Sequence, residues 1–124
     1  MKFLWTTINV RNLDESISFY SNLLDLKVLK RFPAGPGIEI VFMGNSIENE
    51  TLIEFIQDSK NSNINLCESV SIGFSVESID EILETVKNRS ISIINGPIET
   101  SDLKFIFIKD PNGMTIQFVE NIIK

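Results

Sequence analysis

The sequence contains one structural pattern written twice, and this duplication restricts the fold more than any other feature. Residues 10–15, with the sequence VRNLDE, match residues 76–81, VESIDE, which lie 66 positions later. In each copy, a stripe of apolar residues at spacings of three and four follows, which is typical of an amphipathic helix. The sequence therefore predicts two related units, each with one helix near its start.

Capping residues predict where both helices begin. Asn12 and Ser78 stand directly before the two apolar stripes, and Glu15 and Glu81 follow them three positions later. The Asn or Ser side chain can accept a hydrogen bond from a backbone N–H, and the glutamate completes a capping box. The stripes consist of Leu13, Ile17, Tyr20 and Leu24 in the first helix and of Ile79, Ile82, Leu83 and Val86 in the second.

The rest of the chain reads as strands rich in Ile, Val, Phe and Thr. They are predicted near residues 3–10, 26–32, 37–44, 50–57, 69–76, 91–95, 103–109 and 114–120. We expect an α+β fold in which residues 1–124 form a single domain of two βαβββ modules, about 1–57 and 69–124, joined by a polar linker at 58–68. Each module leaves one face of its sheet uncovered. Two modules side by side can form a cup-shaped mixed sheet with the helices outside and a shared pocket inside.

Composition excludes several classes of site. The chain has no histidine and a single cysteine, Cys67, which excludes a serine triad, a cysteine–histidine pair, a structural zinc site and an intrachain disulfide. The lone cysteine is compatible with a reducing compartment. Because the net charge is −6, we expect no nucleic acid partner and no anionic membrane partner. No export signal or membrane span is evident, so we expect a cytoplasmic protein.

Three local motifs on this duplicated order resemble one protein family. They are residues 12–20, NLDESISFY, residues 22–26, NLLDL, and residues 110–118, DPNGMTIQF. Together they resemble the vicinal oxygen chelate superfamily, which includes glyoxalase I, extradiol dioxygenases and bleomycin-resistance proteins. The resemblance runs from about Phe3 to Glu120 and implies the glyoxalase/bleomycin-resistance fold. It says little about function, because this fold hosts many chemistries.

The resemblance also implies where a metal would bind. Metal-dependent members take two ligands from each unit, and the corresponding positions here are Trp5 and Glu54 in the first unit and Ser71 and Gln117 in the second. Imidazole supplies much of the affinity of such sites for transition metals, and tryptophan does not coordinate a metal. We therefore expect no metal and no other cofactor, which argues against metal-dependent glyoxalase or dioxygenase chemistry.

Strand alternation suggests which side chains face the pocket. The predicted ligand-binding residues are Trp5, Thr7, Asn9, Glu54, Ile56, Ser71, Gly73 and Gln117. This set mixes one indole, aliphatic groups, hydroxyls, an amide and one carboxylate, which suits a small organic molecule better than an ion. Glu54 has two interpretations: a structural hydrogen bond to Gln117, Ser71 or Thr7, or a functional role as a counter-charge or general base.

These observations favour a binding protein over an enzyme. The preferred hypothesis is a metal-free protein of the bleomycin-resistance type that binds or sequesters a small organic molecule, cationic or aromatic, as a homodimer. One alternative is a metal-independent lyase or isomerase with Glu54 as general base. Another is an unorthodox glyoxalase-like metalloenzyme, and the last is a structural or partner-binding module whose pocket is vestigial.

Overall fold

The computed structural model describes residues 1–61, 63–65 and 68–123, and each half of it repeats the predicted order of strand, helix and three strands. Cys67 lies outside the described residues. The first half contains β1 (Trp5–Asn9), α1 (Leu13–Asn22), β2 (Lys27–Pro33), β3 (Ile38–Gly44) and β4 (Leu52–Asp58). The second contains β5 (Ser71–Ser75), α2 (Ile79–Asn88), β6 (Asn95–Glu99), β7 (Leu103–Lys109) and β8 (Thr115–Asn121).

The chain divides into two compact units, Met1–Asn65 (unit 1) and Leu66–Lys124 (unit 2). Each unit has one four-stranded sheet, with the order β1-β4-β3-β2 in unit 1 and β5-β8-β7-β6 in unit 2. The first strand of each unit runs parallel to the last, and the other pairings are antiparallel. The predicted α+β class with two mixed sheets is confirmed. Within the part of the chain that the structure describes, no helix is long and apolar enough to cross a membrane.

Each helix begins at its predicted cap. The Asn12 side chain accepts a hydrogen bond from the Glu15 N–H at 2.9 Å, and the Ser78 hydroxyl accepts one from the Glu81 N–H at 3.2 Å. These bonds satisfy backbone donors that the first turn of a helix leaves without intrahelical partners. The two predicted helix starts are thus confirmed.

A second contact, which the sequence reasoning missed, ties each helix to the last strand of its unit. The Leu13 N–H donates to Oε1 of Gln57 at 2.6 Å, and the Ile79 N–H donates to Oε1 of Glu120 at 2.7 Å. Gln57 and Glu120 occupy equivalent places near the ends of β4 and β8. The sequence signal for these two contacts was a long polar side chain at the matching position of each repeat.

The core of each unit lies between its helix and one face of its sheet. In unit 1, Tyr20 of α1 and Phe55 of β4 are fully buried, with ring centroids 4.8 Å apart. On β1, Ile8 is buried while Thr7 and Asn9 are exposed, as the predicted alternation requires. The other buried apolar residues include Val10, Leu13, Val41, Met43 and Ile53 in unit 1 and Ile79, Val86, Ile106, Ile108, Ile116 and Phe118 in unit 2. The opposite face of each sheet carries no helix of its own unit, and we call it the open face.

One strand begins later than predicted. The apolar run at 91–94 predicted a strand over 91–95, but β6 spans Asn95–Glu99. The prediction was wrong because the Ile91 N–H donates to the Val86 carbonyl at the end of α2. Residues 91–94 therefore connect α2 to β6. β6 contains Pro97, which is tolerated because β6 is an edge strand.

An ion pair joins β2, β3 and α1 in unit 1. Arg31 donates to Glu39 from Nε at 2.6 Å and from Nη2 at 3.1 Å. Its Nη1 also contacts Asp14 of α1 at 3.1 Å. The hydrogen bonds from Arg31 lower the pKa of the Glu39 carboxyl below its ordinary value.

Because the pKa of Glu39 is lowered in the folded state, its stabilising contribution is present above the unfolded pKa of about 4.3 and is lost as the pH falls through the folded value. We expect Glu39→Gln to lower the Tm at pH 7 and to have progressively less effect below pH of about 4. Thermal unfolding at several pH values checks this, with Glu48→Gln as a control on an exposed loop. A Tm difference of the same size at pH 3 and at pH 7 would contradict it.

Candidate functional site

Four side chains of unit 1 form one row across its open face. Thr7 of β1 pairs with Glu54 of β4, Glu54 pairs with Phe42 of β3, and Phe42 pairs with Lys30 of β2. Residues directly opposite each other in neighbouring strands project from the same face of a sheet. The row therefore reads hydroxyl, carboxylate, phenyl and ammonium.

A hydrogen bond fixes the carboxylate of this row. The Thr7 hydroxyl donates to Oε1 of Glu54 at 2.6 Å. Thr7 is one of the three partners that were expected for a structural hydrogen bond of Glu54. Among the described residues, no hydrogen bond reaches the other oxygen, Oε2. The half-buried carboxylate is thus held in one orientation and keeps an acceptor for a further group.

Two further aromatic rings pack against Phe42 of this row. We call Trp5, Phe42 and Phe32 the aromatic platform. The Trp5 and Phe42 ring centroids lie 5.1 Å apart at an interplanar angle of 77°, and those of Phe32 and Phe42 lie 6.2 Å apart at 16°. Trp5 keeps 44 % of its surface exposed, so it does not plug the site as a core residue. Edge-to-face and offset packing of this kind holds rings rigidly. The platform offers an apolar surface beside Glu54.

Glu54, Phe42 and Lys30 of the row, together with the rest of the platform, line a cleft of about 500 Å³, which we call cleft 1. It is lined by Trp5, Leu29, Lys30, Phe32, Phe42, Leu52 and Glu54. A volume of this size, apolar with a few charged groups, is typical of sites for small organic molecules. The sequence reasoning placed Trp5 and Glu54 in a pocket but missed Leu29, Lys30, Phe32 and Phe42.

A β-bulge brings Lys30 into cleft 1. The register of β2 against β3 shifts between Val28 and Lys30, and as a result both Leu29 and Lys30 line the cleft. Bulges commonly re-aim side chains in this way. The Lys30 ammonium lies 5.5 Å from the centroid of the Phe32 ring. The sequence signal that Lys30 and Phe32 project from the same face of β2 was their spacing of two residues.

Unit 2 carries an equivalent row without charges. Gly73 pairs with Gln117, Gln117 pairs with Phe107, and Phe107 pairs with Asn95. A Cβ atom at Gly73 would lie 3.6 Å from Oε1 of Gln117, so the amide lies close to the glycine. A cleft of about 370 Å³, cleft 2, is lined by Glu68, Ile94, Asn95, Phe107, Lys109 and Thr115.

The predicted site residues separate into three groups. Trp5 and Glu54 line cleft 1, and Thr7 contacts Glu54. Asn9 and Ile56 pair with each other in the next row of the same open face, outside the cleft lining. The remaining residues, Ser71, Gly73 and Gln117, lie on β5 and β8 in unit 2, outside the lining of cleft 2.

The sequence profile of the Glyoxalase/Bleomycin resistance protein/Dioxygenase superfamily matches residues 2–118. The chain belongs to this superfamily. A lactoylglutathione lyase of Neisseria meningitidis is 29 % identical over 126 residues, which cover 97 % of this chain and 91 % of the relative. A probable lactoylglutathione lyase of Synechocystis is 25 % identical, with 97 % of this chain and 95 % of the relative covered.

Solved structures of the superfamily have the same fold. A glyoxalase I of Leishmania major, described as trypanothione-dependent, gives a TM-score of 0.83 at 26 % identity and covers 97 % of this chain and 86 % of that one. A glyoxalase family protein of Bacillus cereus gives 0.82 at 18 % identity, with coverages of 98 % and 94 %. At 18 % identity, that likeness shows the fold alone.

The names of these superfamily relatives correct the expectation that the chain is not an enzyme. Lactoylglutathione lyase is an enzyme, and the match to it extends over nearly the whole chain. The expectation gave the missing histidines too much weight. Histidine ligands determine which metal a site holds, whereas a carboxylate base such as Glu54 can transfer protons without them.

The residues present do not fit the transition metal that this superfamily implies. In unit 1, Trp5 has no ligating atom, and one oxygen of Glu54 already accepts from Thr7. In unit 2, Ser71 and Gln117 offer a hydroxyl and an amide, which are weak ligands for Zn, Ni or Fe. The chain has no imidazole. The described residues also contain no cluster of three or more His, Cys, Asp or Glu side chains.

Proposed function

We propose that this chain is a metal-independent lyase or isomerase that binds a small organic carbonyl compound in cleft 1 and uses Glu54 as its general base. The observation that carries the proposal is the hydrogen bond from Thr7 to Oε1 of Glu54, which orients the carboxylate and leaves Oε2 for the substrate. The aromatic platform beside it supplies apolar surface for binding. An oriented base next to an apolar cleft suits proton abstraction beside a carbonyl.

The names of the relatives suggest the substrate class. Lactoylglutathione is a thioester whose hydroxyl-bearing carbon adjoins the thioester carbonyl. Oε2 of Glu54 removes the proton from that carbon and returns it to the former carbonyl carbon, while one proton passes from the hydroxyl oxygen to the carbonyl oxygen. The product is a hemithioacetal, which splits into glutathione and methylglyoxal. No oxidant is required, because the carbon that is reduced and the carbon that is oxidised belong to the same molecule.

The chemistry of the donors leads to a prediction about metals. We expect turnover of lactoylglutathione, or its formation from glutathione and methylglyoxal, to be unchanged after dialysis against a chelator. Added Ni²⁺ or Zn²⁺ should also leave the rate within about twofold, because each unit offers at most one strong ligand at the family's positions. The thioester absorbance follows the reaction. Loss of activity on chelation, restored by one equivalent of metal, would contradict the proposal.

Two earlier expectations complete the proposal. A cytoplasmic location would give the chain access to reduced glutathione, and its single cysteine is compatible with that compartment. A homodimer is the assembly that the family resemblance implied. Native mass spectrometry would report both the number of subunits and any retained small molecule.

A further inference from the structure

The two clefts have equivalent frameworks but different charges. Leu29, Lys30 and Phe42 in cleft 1 correspond to Ile94, Asn95 and Phe107 in cleft 2, and both sets include a residue beside a register shift in the edge strand. At the same places in the rows, Glu54 in unit 1 corresponds to Gln117 in unit 2.

The fold therefore tolerates neutral residues at the places of Lys30 and Glu54. Unit 2 builds an equivalent row with amides where unit 1 has a carboxylate and an ammonium. Cleft 2 also holds a carboxylate and an ammonium, but they come from other positions, Glu68 and Lys109, and form an ion pair with each other. In cleft 1, by contrast, no ion pair joins Glu54 and Lys30 among the described contacts, which leaves both charges for a bound molecule.

No described ion pair holds the Lys30 ammonium. Arg31, Lys104 and Lys109 each form an ion pair with an acidic side chain, and Lys2 donates to Asn49. Among the residues that the structure describes, Lys30 forms no ion pair, although acidic residues outnumber basic ones by 17 to 11 along the chain. Its described contact is the Phe32 ring, which holds the ammonium at the wall of cleft 1.

The separation of Lys30 from Glu54 leaves space for a substrate. The two residues lie on β2 and β4 with Phe42 of β3 between them, so their backbones are about two strand spacings, or about 9.6 Å, apart. Their side chains line the same cleft but do not approach within the 4.0 Å of an ion pair. This backbone spacing leaves room between the two side chains for a carbonyl group and its neighbouring carbon, with the carbon at Glu54 and the oxygen toward Lys30.

We infer that Lys30 is a second catalytic residue, whose ammonium group stabilises the oxyanion formed when Glu54 removes the proton. This inference rests on the proposed function. As the proton passes to Oε2 of Glu54, the C–H electron pair forms a carbon–carbon double bond and the carbonyl π pair moves onto oxygen. The Lys30 ammonium donates a hydrogen bond to that oxygen. When Glu54 returns the proton to the former carbonyl carbon, the double-bond pair forms the new C–H bond. The hydroxyl proton passes to the oxyanion and the former hydroxyl oxygen becomes the new carbonyl oxygen, so the negative charge disappears.

In this role the Lys30 ammonium is the electrophile of the reaction. The side chains at the family's metal positions do not provide one. A positive group aimed at developing negative charge is among the largest contributions to catalysis, and losing one such donor costs about 10²- to 10³-fold in kcat. We expect Lys30→Met to lower kcat by about that factor, with KM within about threefold and Tm unchanged. Lys30→Arg should retain part of the activity, because guanidinium keeps the charge and the donors.

The comparison of kcat with KM separates catalysis from binding. A group that acts only on the oxyanion changes kcat and leaves KM almost unchanged, whereas a group that only anchors the substrate changes KM. Lys27→Met, an exposed position on the same strand, is the matched control and should behave as the wild type.

Four outcomes are decisive. A fall in kcat for Lys30→Met with KM almost unchanged, partly restored in Lys30→Arg, supports the inference. If only KM changes, Lys30 anchors the substrate and the inference is wrong. If Lys30→Met is fully active while Glu54→Gln is inactive, the inference fails and the proposed function survives. If the wild type turns over neither lactoylglutathione nor glutathione with methylglyoxal, the proposed function itself fails.

Discussion

Glu54→Gln is expected to lower kcat by about 10²- to 10⁴-fold, the range that a positioned general base contributes. The substitution keeps the size of the side chain and its acceptor for the Thr7 hydroxyl but removes the capacity to take up a proton. Because binding depends mainly on the aromatic platform, KM should stay within about threefold. Steady-state kinetics with glutathione and methylglyoxal measure both constants.

Two controls make this result specific. Glu48→Gln changes the same functional group on an exposed loop and should leave kcat unchanged. Thr7→Val removes the hydrogen bond that orients Glu54, so it should reduce kcat by less than Glu54→Gln does. Full activity of Glu54→Gln would show that this carboxylate is structural, which was the first interpretation of it.

Phe55→Ala should cost about 3–5 kcal/mol in the free energy of unfolding, the largest stability effect we expect. Phe55 is fully buried against Tyr20 between α1 and the unit 1 sheet, so truncation removes apolar contacts and leaves a cavity. Denaturant unfolding followed by circular dichroism measures the loss.

Phe3→Ala is the matched control, because Phe3 is 67 % exposed and should change stability by less than about 0.5 kcal/mol. Phe55→Leu should fall between the two and remain folded if the alanine variant does not. A loss below about 1 kcal/mol for Phe55→Ala would show that Phe55 does not belong to a close-packed core.

The duplicated pattern allowed most of the fold to be predicted. Residues 10–15 and 76–81 fixed both helix starts, because Asn12 and Ser78 cap through contacts only three residues long. Such local hydrogen bonds are readable from sequence. The start of β6 was not, since it depends on pairing with Phe107 and on the turn that ends α2. Pairing partners far along the chain leave no local signal.

The candidate site was predicted only in part. The resemblance pointed to Trp5 and Glu54, and alternation along β1 added Thr7; the structure brings the three together on one open face. Lys30 was missed because it lies beside a bulge, where alternation does not tell which face a side chain takes. The aromatic platform was also missed, since Trp5 and Phe42 come from β1 and β3, which the sheet order places on either side of β4.

Binding in cleft 1 is the central claim, and the intrinsic fluorescence of Trp5 tests it most directly. Trp5 is the only tryptophan in the chain and lines the cleft, so its emission reports occupancy without a label. Titration of chelator-treated protein with lactoylglutathione should give a saturable change in emission, preserved in Glu54→Gln. No saturable change up to about 10 mM, well above the KM values common among enzymes, would contradict the account.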